Sequence, residues 1–489
     1  MARRKAKRRA PVPPARDLHP YLLPAVLLVA LAARIYVFAL TADQPLWWDE
    51  AEYVLKARNM ALGTPDTGYT PGRPIVLSIA FAGVYAVGLD EPGLHLFVAA
   101  VALAAVWLVY RIGRRLFGTH AGFVAALLFS VFYLPLFYGA RFLTEMPQVT
   151  LCLLAADLVT AGTPARVVLA APVLVVAILT RFPAGLMLPI LLVYALASDQ
   201  ARLLRSRAVL VAAALGLLGF APYLGWAWLQ HGDPLYPFKR WGFTMPPMTL
   251  ADRLVGVGDY ARLVWAGLGW ALGALLIGGI ALCSRGLVAL GRLWRNGDPT
   301  LAGGLLVLAW LLLPFLYFGL FVRPVLDRYP ILGVPAVFLA IGVATAWVAT
   351  RLARGHALAE TMLVVAVAGL GAIGLARDAD TIVRGKITSQ AGMRDAGRWI
   401  AAHTEPADTV MSSSVAQLTY YSVRPILAFP KDADQFARIL REQPPRYVVV
   451  SGSEQDPAGL EAMLSNLAVA GRFPPERPTV VVFRPERVP

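Results

Sequence analysis

Leu46-Trp47-Trp48-Asp49-Glu50-Ala51-Glu52-Tyr53 stands just past the first long apolar run, Tyr21 to Leu40, and its reading decides the fold. At about 1.5 Å per residue that run is long enough to cross the ~30 Å hydrocarbon core of a bilayer. A cleaved signal peptide would have a shorter apolar core and a small-residue cleavage site, so the run reads as a first transmembrane helix. Adjacent carboxylates where a membrane chain usually places aromatic anchors ask for a chemical reason. An ionisable group at membrane depth is costly unless paired or hydrated, and marks a working site more often than a random surface.

Composition agrees with a membrane chain. Of 489 residues 58% are hydrophobic and 15% charged, too apolar for a soluble protein of this length. The mean hydropathy is +0.61. A formal net charge of +15 raises the question of nucleic acid, but the basic residues lie in short clusters between apolar runs, with no basic stripe interleaved with aromatics. The charge therefore reports topology, and no nucleic-acid partner is expected. Cys152 and Cys283 both lie in apolar runs, which leaves neither a disulfide framework nor a thiolate metal site. The six histidines are scattered without metal-ligand spacing, so a metal would have to be held by carboxylates.

Further apolar stretches fall at 94–112, 120–138, 147–163, 166–180, 184–198, 207–229, 262–282, 300–321, 329–349 and 358–376, giving about 11 transmembrane helices with the first. Stretches 166–180 and 184–198, separated by Arg181 and Pro183, also read as one re-entrant pair. Cytoplasmic loops collect Lys and Arg. With the basic tail 1–20 inside, even-numbered spans return to Arg111, Arg114 and Arg115, to Arg166, to Arg202, Arg205 and Arg207, to Arg285, Arg292 and Arg295, and to Arg351 and Arg354. Asp49, Glu50 and Glu145 then share the outer face. The expected fold is a polytopic α-helical membrane domain, 21–376, followed by a small soluble extracytoplasmic α/β domain, 377–489. The first outer loop, 41–93, carries two interfacial helices, Asp49 to Leu62 and Arg73 to Leu89, the first with Glu52 and Lys56 paired at i, i+4. In the tail, helical stretches at 393–402, 435–440 and 459–467 alternate with strand-like segments at 409–411, 425–429, 447–450 and 480–483. No nucleotide-binding motif occurs there.

The candidate chemistry lies on the outer face. Asp49 to Glu52 also reads as a capping box, with Asp49 accepting from the third helical N–H, so cap and catalyst are both open for Asp49. Glu145 precedes the fourth span and has a simpler reading as a first-turn acid at the positive end of a helix dipole. Each acid has an arginine near it in the chain or on the same face. Arg73, Arg141, Arg181, Lys239, Arg240, Arg323 and Arg328 all fall at the outer boundary, and any one of them alone reads as a snorkelling anchor. Several guanidiniums together would fork onto a lipid phosphate and stabilise the charge leaving with it. Arg328-Tyr329 is the strongest pair, supplying a charge and a phenol. Arg34 and Asp157, inside spans, read as structural.

These pieces resemble the C-type (GT-C) integral-membrane glycosyltransferases, in particular the branch of protein O-mannosyltransferases and lipid A aminoarabinose transferases. Trp48-Asp49-Glu50-Ala51-Glu52-Tyr53, Arg73-Pro74, Glu145 and Arg328-Tyr329 match in order and side over about the first 350 residues. The resemblance implies a polyprenyl-phosphate sugar donor and transfer of a hexosyl or pentosyl group, with inversion, to an acceptor hydroxyl on lipid, protein or polysaccharide. It implies Asp49 as general base, Glu50 orienting or tuning it, and Glu145 as a second acid. Arg73, Arg328, Tyr329 and Arg141 would take the donor phosphate. Gly72 stands where aminoarabinose transferases carry a glutamate before the basic residue. A lipid phosphate is already a good leaving group, so no cofactor is obligatory and a divalent metal stays open. Localisation in the cytoplasmic membrane among its lipids follows. Two other readings remain: a lipid-linked sugar transporter, which would want inverted repeats and broken midplane helices that the sequence does not display, and an inactive scaffold of the same fold in a glycan-assembly complex.

Overall fold

The computed structural model of the chain describes residues 19–198, 206–242, 248–288, 298–430, 432–452 and 460–485. The basic tail up to residue 18 and the expected inner-loop arginines Arg202, Arg205, Arg292 and Arg295 lie outside them. The membrane domain is an all-helical bundle. Its helices are α1 (His19–Thr41), α2 (Trp48–Leu62), α3 (Val76–Ala86), α4 (Glu91–Phe117), α5 (Thr119–Val131), α6 (Tyr133–Tyr138), α7 (Glu145–Thr160), α8 (Pro164–Thr180), α9 (Met187–Ala197), α10 (Arg207–His231), α11 (Tyr236–Gly242), α12 (Leu250–Cys283), α13 (Arg285–Val288), α14 (Pro299–Phe321), α15 (Val334–Ala353) and α16 (Ala357–Lys386). Seven helical stretches among the described residues are long and apolar enough to cross a membrane, with shorter apolar helices beside them. Each expected span is helical, but the third is broken at Phe132 between α5 and α6. α12 begins well before its expected start at 262 and kinks at Gly269, whose φ of +68° is a conformation that glycine alone adopts without strain. α8 packs on α7 and α10 whereas α9 packs chiefly on α14. The core between the helices is closed by large side chains such as Trp310, Phe129, Phe137 and Phe338.

Arg34 does not snorkel. It is 4% exposed and donates from its guanidinium to the carbonyls of Ala30, Ser130 and Ala102, tying α1 to α4 and α5. Asp157 is the buried partner of Arg111 and Arg115 (3.0 and 2.9 Å), the structural role expected of it.

After the last span, α16 runs past the expected boundary at 376 as far as Lys386. The domain beyond contains α17 (Ala391–His403), β1 (Val410–Ser412), α18 (Val415–Ser422), β2 (Ile426–Ala428), α19 (Ala433–Glu442), β3 (Tyr447–Ser451), α20 (Leu460–Leu464), β4 (Ala468–Phe473) and β5 (Val480–Arg484). The sheet order is β2-β1-β3-β5-β4. β1 pairs in parallel with β2 and β3, while β5 is antiparallel to β3 and to β4. Its core is the α/β arrangement expected, with Met393, Ala396 and Ile400 of α17 packed against Val410, Val449 and Val482 of the sheet. The sequence reading missed α18 and β4. α18 is the element that docks on the membrane domain: Gln417 Nε2 donates to the Leu46 carbonyl at 2.8 Å and the Tyr421 hydroxyl accepts from the Leu46 N–H at 2.7 Å. Gly68, at φ +94°, lets the outer loop pass so close that a Cβ would lie 2.7 Å from Ala416 N.

The start of α2 corrects the capping expectation. Its first helical residue is Trp48, so Trp47 rather than Asp49 is the cap and Glu50 rather than Glu52 occupies the third position, and Glu50 Oε2 accepts the Trp47 N–H at 2.7 Å. Glu50 Oε1 accepts the Phe142 N–H at 2.8 Å, and Arg141 Nη2 donates to Glu50 Oε2 and to the Pro45 carbonyl. Glu50 and Arg141 are thus a buried ion pair, 1% and 4% exposed, that bolts the entry to α2 onto the turn before α7. Neither reaches the space around Asp49, because consecutive residues on a helix point about 100° apart. Lys56 pairs with Asp66 at 2.8 Å rather than with Glu52. The second outer helix, α3, spans Val76–Ala86 only.

Removing one partner of a buried pair strands the other's charge. Glu50→Ala is expected to lower stability by about 3–5 kcal/mol, and Glu50→Leu combined with Arg141→Leu to recover most of it. Thermal unfolding of the detergent-solubilised variants measures this; a neutral Glu50→Ala would contradict the bolt.

Candidate active site

α2 enters from a loop held at Leu46 by α18 and at Trp47 by Ser389, whose Oγ accepts the Trp47 indole N–H at 3.0 Å. With Glu50 turned inward to Arg141, Asp49 is left facing a basic cluster. Its Oδ1 is 3.2 Å from Arg73 Nη1 and its Oδ2 is 3.0 Å from Arg328 Nη1. Arg328 Nη1 also lies 3.6 Å from Glu145 Oε1, so one guanidinium bridges the two acids. Glu145 opens α7, as the helix-dipole reading requires, and takes a second guanidinium, Arg181 Nη1 donating to Oε1 at 2.7 Å. Its Oε2 is buried with no hydrogen-bond partner among the described residues. A buried acceptor left unpaired is destabilising by a few kcal/mol, about 1–3, which suits an atom whose partner arrives with a ligand.

The residue that sequence reasoning missed is Glu52. It is fully buried, with Oε2 2.7 Å from Arg73 Nε, and it accepts from the Trp48 indole at 2.5 Å and from the Thr70 hydroxyl and N–H at 2.9 and 3.1 Å. Saturated with donors, it fixes Arg73 in place. Its i, i+3 spacing from Asp49 puts both acids on one helix face, and that was the available signal. Arg181 was only one of several boundary cations in the sequence; the break between α8 and the 3₁₀ turn Phe182–Leu186 is what aims it at Glu145. The other expected boundary cations go elsewhere. Lys239 pairs with Asp233, Arg323 donates to the carbonyls of Gly319, Val322 and Asp252, and Arg141 belongs to Glu50.

Tyr329 stacks on Phe318 with ring centroids 5.5 Å apart, and the guanidiniums of Arg181 and Arg328 lie 5.9 and 6.0 Å from its centroid. Behind Arg328, Asp327 accepts from the hydroxyls of Tyr133 and Tyr138 at 3.1 and 3.0 Å and pairs with Lys386 at 3.3 Å. That network holds the loop before Tyr329 against α6 and the end of α16.

Three carboxylates, Asp49, Glu52 and Glu145, therefore interleave with three guanidiniums, Arg73, Arg181 and Arg328. Of the acids only Asp49 reaches open space, at 25% side-chain exposure against 0% for the other two. Burial pushes the Asp49 carboxyl up, but Arg73, Arg328 and Arg181 together outweigh it and hold it below its ordinary value of 3.8. No group of three or more His, Cys, Asp or Glu side chains converges as a metal-binding set among the described residues. Each acid is opposed by a guanidinium at contact distance, so the donor set does not fit a divalent cation.

A family model described as dolichyl-phosphate-mannose-protein mannosyltransferase matches residues 72–226. No curated protein sequence matches the chain. ArnT from Cupriavidus metallidurans bound to undecaprenyl phosphate is similar in structure at 18% identity, with 96% of this chain and 98% of that chain covered and a TM-score of 0.67. The archaeal oligosaccharyltransferase AglB from Archaeoglobus fulgidus, in complex with an inhibitory peptide and a dolichol-phosphate, is similar at 14% identity, with 96% and 75% covered and a TM-score of 0.61. Together with the helical bundle, the two outer-loop helices and the appended sheet domain, these likenesses give the chain the fold of the C-type integral-membrane glycosyltransferases.

Proposed function

We propose that the chain is a membrane glycosyltransferase that moves a sugar from a polyprenyl-phosphate donor to an acceptor hydroxyl, with inversion, Asp49 acting as general base. The observation that carries this reading is the sharing of the partly exposed Asp49 by Arg73 and Arg328. A carboxylate clamped by two guanidiniums is a weak base. A lipid phosphate brings more negative charge and more acceptor oxygens than one carboxylate, so it competes for the same two arginines. As Arg73 and Arg328 turn to the phosphate, Asp49 is released, its pKa rises, and it takes the proton of the attacking hydroxyl. The C–O bond to the lipid phosphate breaks as the acceptor oxygen bonds to the anomeric carbon from the opposite side. The departing phosphate stays neutralised by Arg73 and Arg328.

Glu52 keeps Arg73 oriented, Arg181 and Glu145 line the sugar or acceptor side, and Glu145 Oε2 accepts from a substrate hydroxyl. Tyr329 flanks the arginines and offers its phenol to the phosphate. Glu50 and Arg141 act through the backbone that carries Asp49 rather than on substrate. The site lies at the outer face of the cytoplasmic membrane, with the arginine-rich helix ends inside and the sheet domain outside, in keeping with the distribution of basic loops. The structural likeness of the chain to ArnT, solved with undecaprenyl phosphate, and to AglB, solved with a dolichol-phosphate, supports the polyprenyl phosphate.

Purified protein incubated with polyprenyl-phosphate sugars and a membrane extract is expected to release lipid phosphate, and Asp49→Asn to release it about 10²–10⁴-fold more slowly. Equal release from both proteins would end the general-base assignment, and release from neither would leave the scaffold reading. The pH profile is a second check. A depressed Asp49 pKa means that the base stays ionised as pH rises from that value and loses its charge only as pH falls through it. On this sign kcat/KM for the donor is flat on its acid side through the neutral range, with its limb below 3.8, while the limb of kcat, measured with donor bound, lies higher. Coincident acid limbs for the two parameters would contradict release of Asp49 by the donor.

A further inference from the structure

α4 carries a second basic site at the end of the bundle opposite Asp49. Glu91, at its start, meets Arg58 of α2 at 3.2 Å, and Arg111 follows about 30 Å along the helix axis. Here an open crevice of about 420 Å³ is lined by Leu23 of α1 and by Trp107, Tyr110, Arg111, Arg114 and Arg115 of α4. Trp107, Arg111 and Arg114 fall at i, i+4 and i+7, a single helix face.

The charges in this crevice do not balance. Arg111 forks onto both oxygens of Asp157 at 3.2 and 3.0 Å, and Arg115 takes the same carboxylate at 2.9 Å and the Asp157 carbonyl at 2.7 Å. One acid thus answers two arginines. Arg114, exposed, has no hydrogen-bond or ion-pair partner among the described residues. Trp107 is 37% exposed on the bundle's outer surface, with the Arg111 guanidinium 4.5 Å from its ring centroid. An indole toward the acyl chains, with guanidiniums one and two turns beyond it, matches the cross-section of a phospholipid at the boundary of hydrocarbon and headgroup.

We infer that this crevice between α1 and α4 binds the phosphate of an anionic glycerophospholipid, with Arg114 and Arg111 donating to its oxygens and Trp107 and Leu23 against its chains. The site is independent of the glycosyl-transfer reading, since it shares no residue with the Asp49 cluster.

Native mass spectrometry of the full-length protein, delipidated in detergent and titrated separately with phosphatidylglycerol, phosphatidylcholine, polyprenyl phosphate and inorganic phosphate, tests it. Retention of phosphatidylglycerol over phosphatidylcholine is expected. It should weaken about tenfold or more in Arg114→Glu, as loss of a charge-assisted contact predicts, and persist in Asp49→Asn. Arg114 is exposed and unpaired, so Arg114→Ala, expected to weaken retention in the same direction, guards against a folding artefact. Equal retention of the two phospholipids, equal retention by wild type and Arg114→Glu, or competition by inorganic phosphate or polyprenyl phosphate at equal concentration would each overturn the assignment.

Discussion

The structure turns on the sharing of one carboxylate by two cations. Asp49 sits between Arg73 and Arg328 at 3.2 and 3.0 Å, and almost every nearby element serves to keep it there. Glu50, turned into the protein, ties the first turn of α2 to Arg141 and Phe142. Gln417 and Tyr421 of the sheet domain grip Leu46 from the other side. Glu52 holds Arg73, while Asp327, with two tyrosines and Lys386, holds the loop that carries Arg328. Charges packed in this way raise their mutual attraction by excluding water, but each is desolvated at a cost, which is why every arginine of the cluster is answered by an acid.

Alternation also explains how such a site can be both stable and reactive. With three acids and three arginines the resting cluster is neutral, and an arriving phosphate does not enter an empty positive hole. In the proposed mechanism it exchanges with Asp49 for guanidiniums already aimed at the cavity, so the protein need reorganise little when charge develops on the leaving group. In that proposed mechanism the exchange gives one carboxylate two tasks in sequence, counter-ion first and base second.

Much of this was legible in the chain. The apolar helical stretches follow from residue spacing and from the energetics of charge near lipid, and Asp49, Glu145, Arg73 and Arg328 do converge. Glu50 and Arg141 were misplaced because the helix start cannot be fixed to one residue from sequence. A capping box shifted by two positions exchanges which acid faces the backbone and which faces the cavity. Glu52 was hidden by a plausible surface pair with Lys56, since i, i+4 spacing says nothing of burial, and the loop that brings Thr70 and Arg73 over it is a tertiary fact. The role of α18 was invisible for the same reason: its docking partners lie more than 300 residues earlier, at Leu46.

The most direct measurement is the affinity of Asp49→Asn for a polyprenyl phosphate, titrated beside wild type and read together with turnover. If the carboxylate competes with the phosphate for Arg73 and Arg328, the variant binds the lipid phosphate at least as tightly as wild type while transferring sugar about 10²–10⁴-fold more slowly. Weaker binding by Asp49→Asn, or binding unchanged with turnover intact, would contradict the account.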